Sequence, residues 1–162
     1  MSGILIRNNC SIGDVSAIVQ LHTAYYCREY GFNHEFEEYV RKPLSEFAVR
    51  SSERERIWIA EHENEVKGCI ALVRNSADES QLRWFIIHKT LQGNGLGAQL
   101  VVDLIHFAEE NEYKRIMLWT ISELHAAIRI YKRNGFIMRD ENRHFIWGKE
   151  LKELKYQRDL GN

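Results

Sequence analysis

One eight-residue stretch constrains this chain more than any other: Leu91-Gln92-Gly93-Asn94-Gly95-Leu96-Gly97-Ala98. It lies between a strand-like run, Gln81 to His88, and a helical run whose apolar positions are Leu100, Val101, Leu104, Phe107 and Ala108. The glycines allow a tight turn and bring several backbone N–H groups close to whatever occupies it. The helix N-terminus adds partial positive charge. A strand, a glycine turn and a helix in that order favour a phosphate-bearing ligand.

Three readings of the turn compete. A P-loop needs Gly-Lys-Ser/Thr after the turn, and Gly97-Ala98-Gln99 does not supply it. A dinucleotide fingerprint fits literally as Gly93-x-Gly95-x-x-Ala98, but it should follow the first strand of a βαβ unit with an acid ending the next strand. Here the turn follows the fourth strand, and the next one ends in Trp119-Thr120. The third reading is a coenzyme A pyrophosphate loop of pattern Gln/Arg-x-x-Gly-x-Gly/Ala, matched by Gln92, Gly95 and Gly97. A tight structural turn without a ligand stands beside all three.

The elements around the turn read as follows. Ile4 to Ile6 begins a strand. Asp14 caps a helix with Val15, Ile18, Val19, His22 and Tyr26 on one face, closed by Gly31. A second helix starts at Asn33, with Phe36, Tyr39, Val40, Pro43, Leu44 and Phe47 as its apolar stripe; Pro43 predicts a kink or break. Ile57 to Ala60 and Val66 to Val73 form a hairpin across a Glu61 to Glu65 turn. After the glycine helix come a strand at Arg115 to Thr120 and a helix capped by Ser122 with Leu124, Ala127, Ile128 and Tyr131 on one face. Asn134-Gly135 closes that helix, and a final hairpin pairs Phe136 to Arg139 with Arg143 to Trp147. The order β-α-α-β-β-β-α-β-α-β-β predicts one α/β domain over residues 1–162, with a mixed, mostly antiparallel sheet flanked by helices.

At 162 residues such a domain buries a sufficient core without disulfides. The net charge of −1 argues against nucleic acid as the main partner. No apolar run reaches the ~18 residues of a membrane span, and the N-terminal run is too short in apolar residues for a signal peptide. Cys10, Cys27 and Cys69 form no CxxC pair and suit a reducing cytoplasm. The seven histidines lack metal-ligand spacing, so no metal is expected.

A second segment narrows the choice: Ala127-Ile128-Arg129-Ile130-Tyr131-Lys132-Arg133-Asn134-Gly135-Phe136. It resembles the Ala-x-x-Leu-Tyr-x-x-x-Gly-Phe segment of GNAT-superfamily N-acetyltransferases, which place their glycine turn at the same distance. Tyr25-Tyr26 to Phe36, Leu82-Arg83-Trp84-Phe85, Leu118-Trp119-Thr120 and Trp147-Gly148-Lys149-Glu150-Leu151 extend the likeness over most of the chain. These segments resemble the acetyltransferase half of proteins fused to a MarR-type DNA-binding domain. A first strand at residue 4 leaves no room for a winged helix, so the catalytic half alone is expected.

The resemblance implies a GNAT-like fold, acetyl-CoA as cosubstrate and an amine as acceptor, by direct transfer in a ternary complex. It implies that Ile86, Ile87 and His88 expose backbone groups to the pantetheine arm, with a main-chain N–H at Ile87 stabilising the oxyanion. Gln92, Gly93, Asn94, Gly95, Leu96, Gly97 and Ala98 would hold the pyrophosphate. Thr120 and Ala127 would line the arm, and Tyr131 would protonate the departing thiolate. Relatives often carry asparagine where Leu124 stands and Lys or Arg where Asn94 stands, so Ser122 or Thr120 substitutes for the first and backbone amides do more of the binding. The family likeness also allows a homodimer.

The acceptor and its base stay open. An amine of pKa about 10.4 costs about 4–5 kcal/mol to deprotonate at pH 7, and Glu29, His88 and His125 are the candidate bases. Tyr25, Tyr26, Tyr30 and Phe32 either pack the first helix on the sheet or wall the acceptor pocket. The alternative function is a non-catalytic acyl-CoA-binding sensor, which keeps the turn without needing the Tyr131 phenol. A nucleotide-dependent oxidoreductase is the third reading.

Overall fold

The computed structural model describes residues 3–161. The elements are β1 (Ile4–Arg7), α1 (Ile12–Tyr30), α2 (Glu35–Val49), β2 (Arg56–His62), β3 (Glu65–Arg74), β4 (Glu79–Ile87), a single 3₁₀ turn (Lys89–Leu91), α3 (Leu96–Glu110), β5 (Arg115–Ile121), α4 (His125–Arg133), β6 (Ile137–Ile146) and β7 (Lys149–Asp159). The seven strands form one sheet in the order β1-β2-β3-β4-β5-β7-β6. All pairings are antiparallel except β4 with β5. The predicted mixed α/β sheet is therefore observed, and the element order is as expected as far as α4.

Each face of the sheet carries its own core. Val15, Ile18 and Val19 of α1 and Phe36, Val40 and Leu44 of α2 pack on Ile57, Ile59, Cys69 and Ala71. On the other face, Leu100, Val101 and Leu104 of α3 and Ile128 of α4 pack on Ile70, Leu72, Leu82 and Leu118. The helical spacing of these residues is what places them on one side of each helix.

The helix starts differ from the sequence expectations. The cap of α1 is Ser11, not Asp14: Ser11 Oγ accepts the Asp14 N–H at 3.2 Å and the Asp14 carboxylate accepts the Ser11 N–H at 2.8 Å. Asp14 is the third residue of a capping box and also pairs with Arg7 at 2.6 Å. Arg7 holds its carboxyl below the usual range. Helix α2 begins at Glu35, with Asn33 Oδ1 accepting the Glu35 N–H at 3.0 Å. It runs unbroken through Pro43, since Phe36 and Val40 before the proline and Leu44 and Phe47 after it are all buried. For α4 the cap is Leu124 and no side chain bonds the first turn; the Ser122 hydroxyl donates to Glu123 instead.

The strand ends also differ. The hairpin turn after β2 is only Glu63-Asn64, both with positive φ (54° and 65°), as a two-residue turn matching strand twist requires. The final hairpin pairs β6 with β7, not Phe136–Arg139 with Arg143–Trp147. The two expected strands are one strand, and Lys149–Asp159 is its partner. β7 lies between β5 and β6. Its pattern is hard to see because the buried face changes: Leu151 joins the α1/α2 core, whereas Leu154 and Tyr156 join the α3/α4 core.

Candidate active site

The site is built around a divergence in the sheet. β4 pairs with β5 only from Glu79 to Gln81, opposite Arg115 to Met117. Beyond that point β5 stays with β7 along all of Arg115 to Ile121, while β4 stays with β3. A wedge opens between the two parallel strands.

A bulge sharpens the divergence. Arg83 pairs with Ala71 and Ile86 with Cys69, so Trp84 and Phe85 both stand opposite Ile70. Trp84 takes a positive φ of 53°, an unusual conformation for a bulky residue that is held by surrounding packing. Beyond the bulge, the His88 N–H donates to the Lys67 carbonyl of β3 at 2.7 Å. Successive residues of a strand turn their backbone groups to opposite edges, so those of Ile87 face the wedge. Gln92 Nε2 donates to the Ile87 carbonyl there at 2.8 Å. The expectation that Ile86, Ile87 and His88 all expose backbone groups thus narrows to Ile87. The backbone of Ile86 and His88 turns to β3, and the His88 ring accepts the Thr90 N–H at 3.2 Å.

The glycine turn closes the wide end of the wedge. Gly93 and Gly95 adopt positive φ (84° and 79°), and a β-carbon on either would meet nothing within 4 Å, so the space above the turn is open. Gly97 serves a different purpose: its β-carbon would lie 3.2 Å from Phe85 and 3.4 Å from Ile130. Its absence lets the N-terminus of α3 approach β4 and α4. Gly95 caps α3 with its carbonyl, accepting the Gln99 N–H at 3.0 Å. The N–H groups of Leu96, Gly97 and Ala98 therefore have no partner within the helix.

A cleft of about 760 Å³ runs from this turn through the wedge to the ends of α1 and α2. Of the predicted residues, Ile86, Ile87, Gln92, Gly93, Gly95, Leu96, Gly97, Ala98, Thr120, Ala127 and Tyr131 line it; His88 and Asn94 do not. Tyr131 is 4% exposed, among the rings of Phe85, Phe136 and Tyr156. Its hydroxyl has no hydrogen-bond partner among the described residues, and burial pushes its phenol well above the ordinary range. Leu124 also lines the cleft.

The opposite end of the cleft is aromatic. Tyr25, Tyr26, Tyr30 and Phe32 pack against one another and also line the cleft. Trp147, from the β6–β7 turn, joins them at 4.8–5.0 Å from Tyr39, Phe32 and Phe36. Of the candidate bases only His125 lines the cleft; Glu29 is exposed on α1.

Sequence reasoning placed His22 only in the apolar stripe of α1, yet it lines the cleft at 4% exposure. Its Nδ1 meets the Ile18 carbonyl at 2.8 Å, and burial lowers its pKa to about 4. The signal was a lone histidine at a core position of an otherwise apolar helix face. Arg83, Glu123 and Glu153 also line the cleft and were not singled out. Among the described residues no cluster of histidine, cysteine or acidic side chains could hold a metal ion, and no helix is long and apolar enough to cross a membrane.

Residues 16–136 match the family model for the acetyltransferase (GNAT) family. No curated protein matches the chain. Solved structures do. One is an acetyltransferase of the GNAT family from Staphylococcus aureus Mu50, 18% identical with a TM-score of 0.78, over 98% of this chain and 99% of that one. Another is the ribosomal-protein-alanine N-acetyltransferase from Brucella melitensis, 19% identical with a TM-score of 0.75, over 96% of this chain and 99% of that one. A third, a GNAT family acetyltransferase from Elizabethkingia anophelis with acetyl-CoA bound, is 17% identical with a TM-score of 0.65, over 99% of this chain and 100% of that one.

Proposed function

The chain belongs to the acetyltransferase (GNAT) family, and we propose that it transfers an acetyl group from acetyl-CoA to the amine of an acceptor bound in the same cleft. One observation carries this reading: a wedge that offers the Ile87 backbone to a ligand, with an open glycine turn at one end and Tyr131 beside it. The acetyl-CoA-bound Elizabethkingia relative supports the donor.

The residues present fit that donor. Positive φ and open space at Gly93 and Gly95 leave room for a pyrophosphate against the N–H groups of Leu96, Gly97 and Ala98. Thr120 and Ala127 line the path of the arm. The thioester, when bound, supplies the acetyl group. The Ile87 N–H stabilises the negative charge that develops on the acetyl oxygen. The acceptor nitrogen forms the N–C bond as the C–S bond breaks, and one proton passes from nitrogen to sulfur. Tyr131 donates a hydrogen bond to that sulfur. Its burial keeps the phenol protonated throughout the physiological range.

No acyl-enzyme is needed. Cys69 is buried, donates to the Trp84 carbonyl at 3.0 Å, and has its thiol pushed up by burial. The three free cysteines support a reducing, cytoplasmic setting. Calorimetric titration with acetyl-CoA, beside NADH, tests the reading. Acetyl-CoA should bind and NADH should not; the reverse would return the turn to a dinucleotide role.

A further inference from the structure

We propose that the acceptor is a small amine that also carries a carboxylate, and that Arg83 binds that carboxylate. The inference rests on the acetyl-transfer reading and adds the acceptor's chemical class to it.

The β4 bulge creates the feature. Arg83 pairs with Ala71, which faces the α1/α2 core, and Trp84 lies in that same core. Without the bulge, adjacent residues would point to opposite faces; with it, Arg83 and Trp84 share one. The Arg83 guanidinium lies 4.8 Å from the Trp84 ring and beside the Tyr39 hydroxyl. It is partly buried and lines the cleft.

Among the described residues no carboxylate pairs with Arg83. The two acidic side chains of the cleft have other partners: Glu153 meets His144 Nε2 at 2.5 Å, and Glu123 accepts the Ser122 hydroxyl at 2.9 Å. The indole N–H of the neighbouring Trp84 is buried without a partner among the described residues. Arg83 has the neutral Tyr39 hydroxyl beside it but no counter-charge in contact, and a ligand can supply one. A carboxylate does so best, because its two oxygens match the guanidinium fork.

The rest of the cleft agrees with an acceptor of this kind. Tyr26, Tyr39 and Trp147 offer apolar surface for its body. Ile87, farther along the same strand, marks where its amine must reach. One strand therefore sets both ends of the acceptor.

The test is initial rate by thiol release for L-phenylalanine, L-methionine, β-alanine and γ-aminobutyrate, each beside its carboxamide. At least one acid should exceed its amide about tenfold or more in kcat/KM, the range of a charged hydrogen bond. Arg83→Gln should raise KM for that acid about tenfold, leave kcat and acetyl-CoA affinity within about twofold, and erase the preference for acid over amide. Arg83→Lys should restore part of it. Amides equal to acids in the wild type would overturn the inference, as would acids left unacetylated although acetyl-CoA binds. Equal losses for acid and amide in Arg83→Gln, or a matching loss of acetyl-CoA affinity, would also overturn it. These outcomes leave the acetyl-transfer reading standing. Failure of the wild type to bind acetyl-CoA would overturn both.

Discussion

The two ends of the cleft are made of different material. The glycine-turn end is mostly backbone: Gly93, Gly95 and Gly97, the first N–H groups of α3 and the Ile87 main chain. The opposite end is side chains: Tyr25, Tyr26, Tyr30, Tyr39, Trp147, Arg83 and His22. Backbone recognition needs few residue types, because only glycine permits the turn. It therefore leaves a short, readable motif. Side-chain recognition draws on α1, α2, β4 and the β6–β7 turn, which meet only in the fold.

This contrast predicts that mutations at the two ends should separate donor from acceptor binding. The largest effect should come from Gly95→Glu. A carboxylate there should lower acetyl-CoA affinity on the order of 100-fold through repulsion of phosphate. Gly95→Ala carries the same positive-φ strain without the charge, so calorimetry should show a much smaller loss. Equal losses in the two variants would trace the effect to strain and remove the pyrophosphate from this turn.

Tyr131→Phe probes the junction of the two ends. The acetyl-transfer rate should fall about 100-fold with acetyl-CoA affinity nearly unchanged. Full activity would remove the proton-donor role and favour a sensor that binds acyl-CoA without turnover.

His22 belongs to the side-chain end and makes it acid-sensitive. Its folded pKa, lowered to about 4, lies below the ordinary 6.5 of an unfolded histidine. Above pH 6.5 both states leave it neutral, and its contribution is fully present. As pH falls from 6.5 toward 4, only the unfolded chain gains the proton, and about 3 kcal/mol is lost. His22→Gln should flatten urea-derived stability over that window. An unchanged slope would assign the acid sensitivity to another group.

The smallest effect concerns the support of the aromatic wall. Ser11→Ala removes one bond of the capping box of α1 and should cost about 1 kcal/mol. Any kinetic change should appear in acceptor KM and leave acetyl-CoA affinity unaltered. A loss confined to acetyl-CoA affinity would show that α1 supports the turn instead.

The element order as far as α4 and the glycine turn were legible in the sequence because they rest on local signals. The 3.6-residue spacing of Leu100 to Ala108 and the Asn134-Gly135 stop needed no tertiary partner. The cap at Ser11 was displaced to Asp14 because both residues belong to one box, and its acid is as good a cap as its serine. Pro43 was read by its local cost, which burial of Phe36, Val40, Leu44 and Phe47 outweighs. β7 was hidden by an exchange of buried faces between Leu151 and Leu154. Arg83 was hidden for a related reason: only the bulge puts it beside Trp84, and the bulge is defined by pairing with β3.

The position of β7 has a consequence for biosynthesis. It follows the other six described strands in sequence, yet it occupies an interior place, paired along its length with both β5 and β6. While the ribosome still holds the segment after Gly148, β5 has a bare edge and β6 has no neighbour at all. The nascent protein can thus consolidate β1 to β4 with α1 and α2 early. It must then keep β5 from pairing with another chain until β7 slides into the gap.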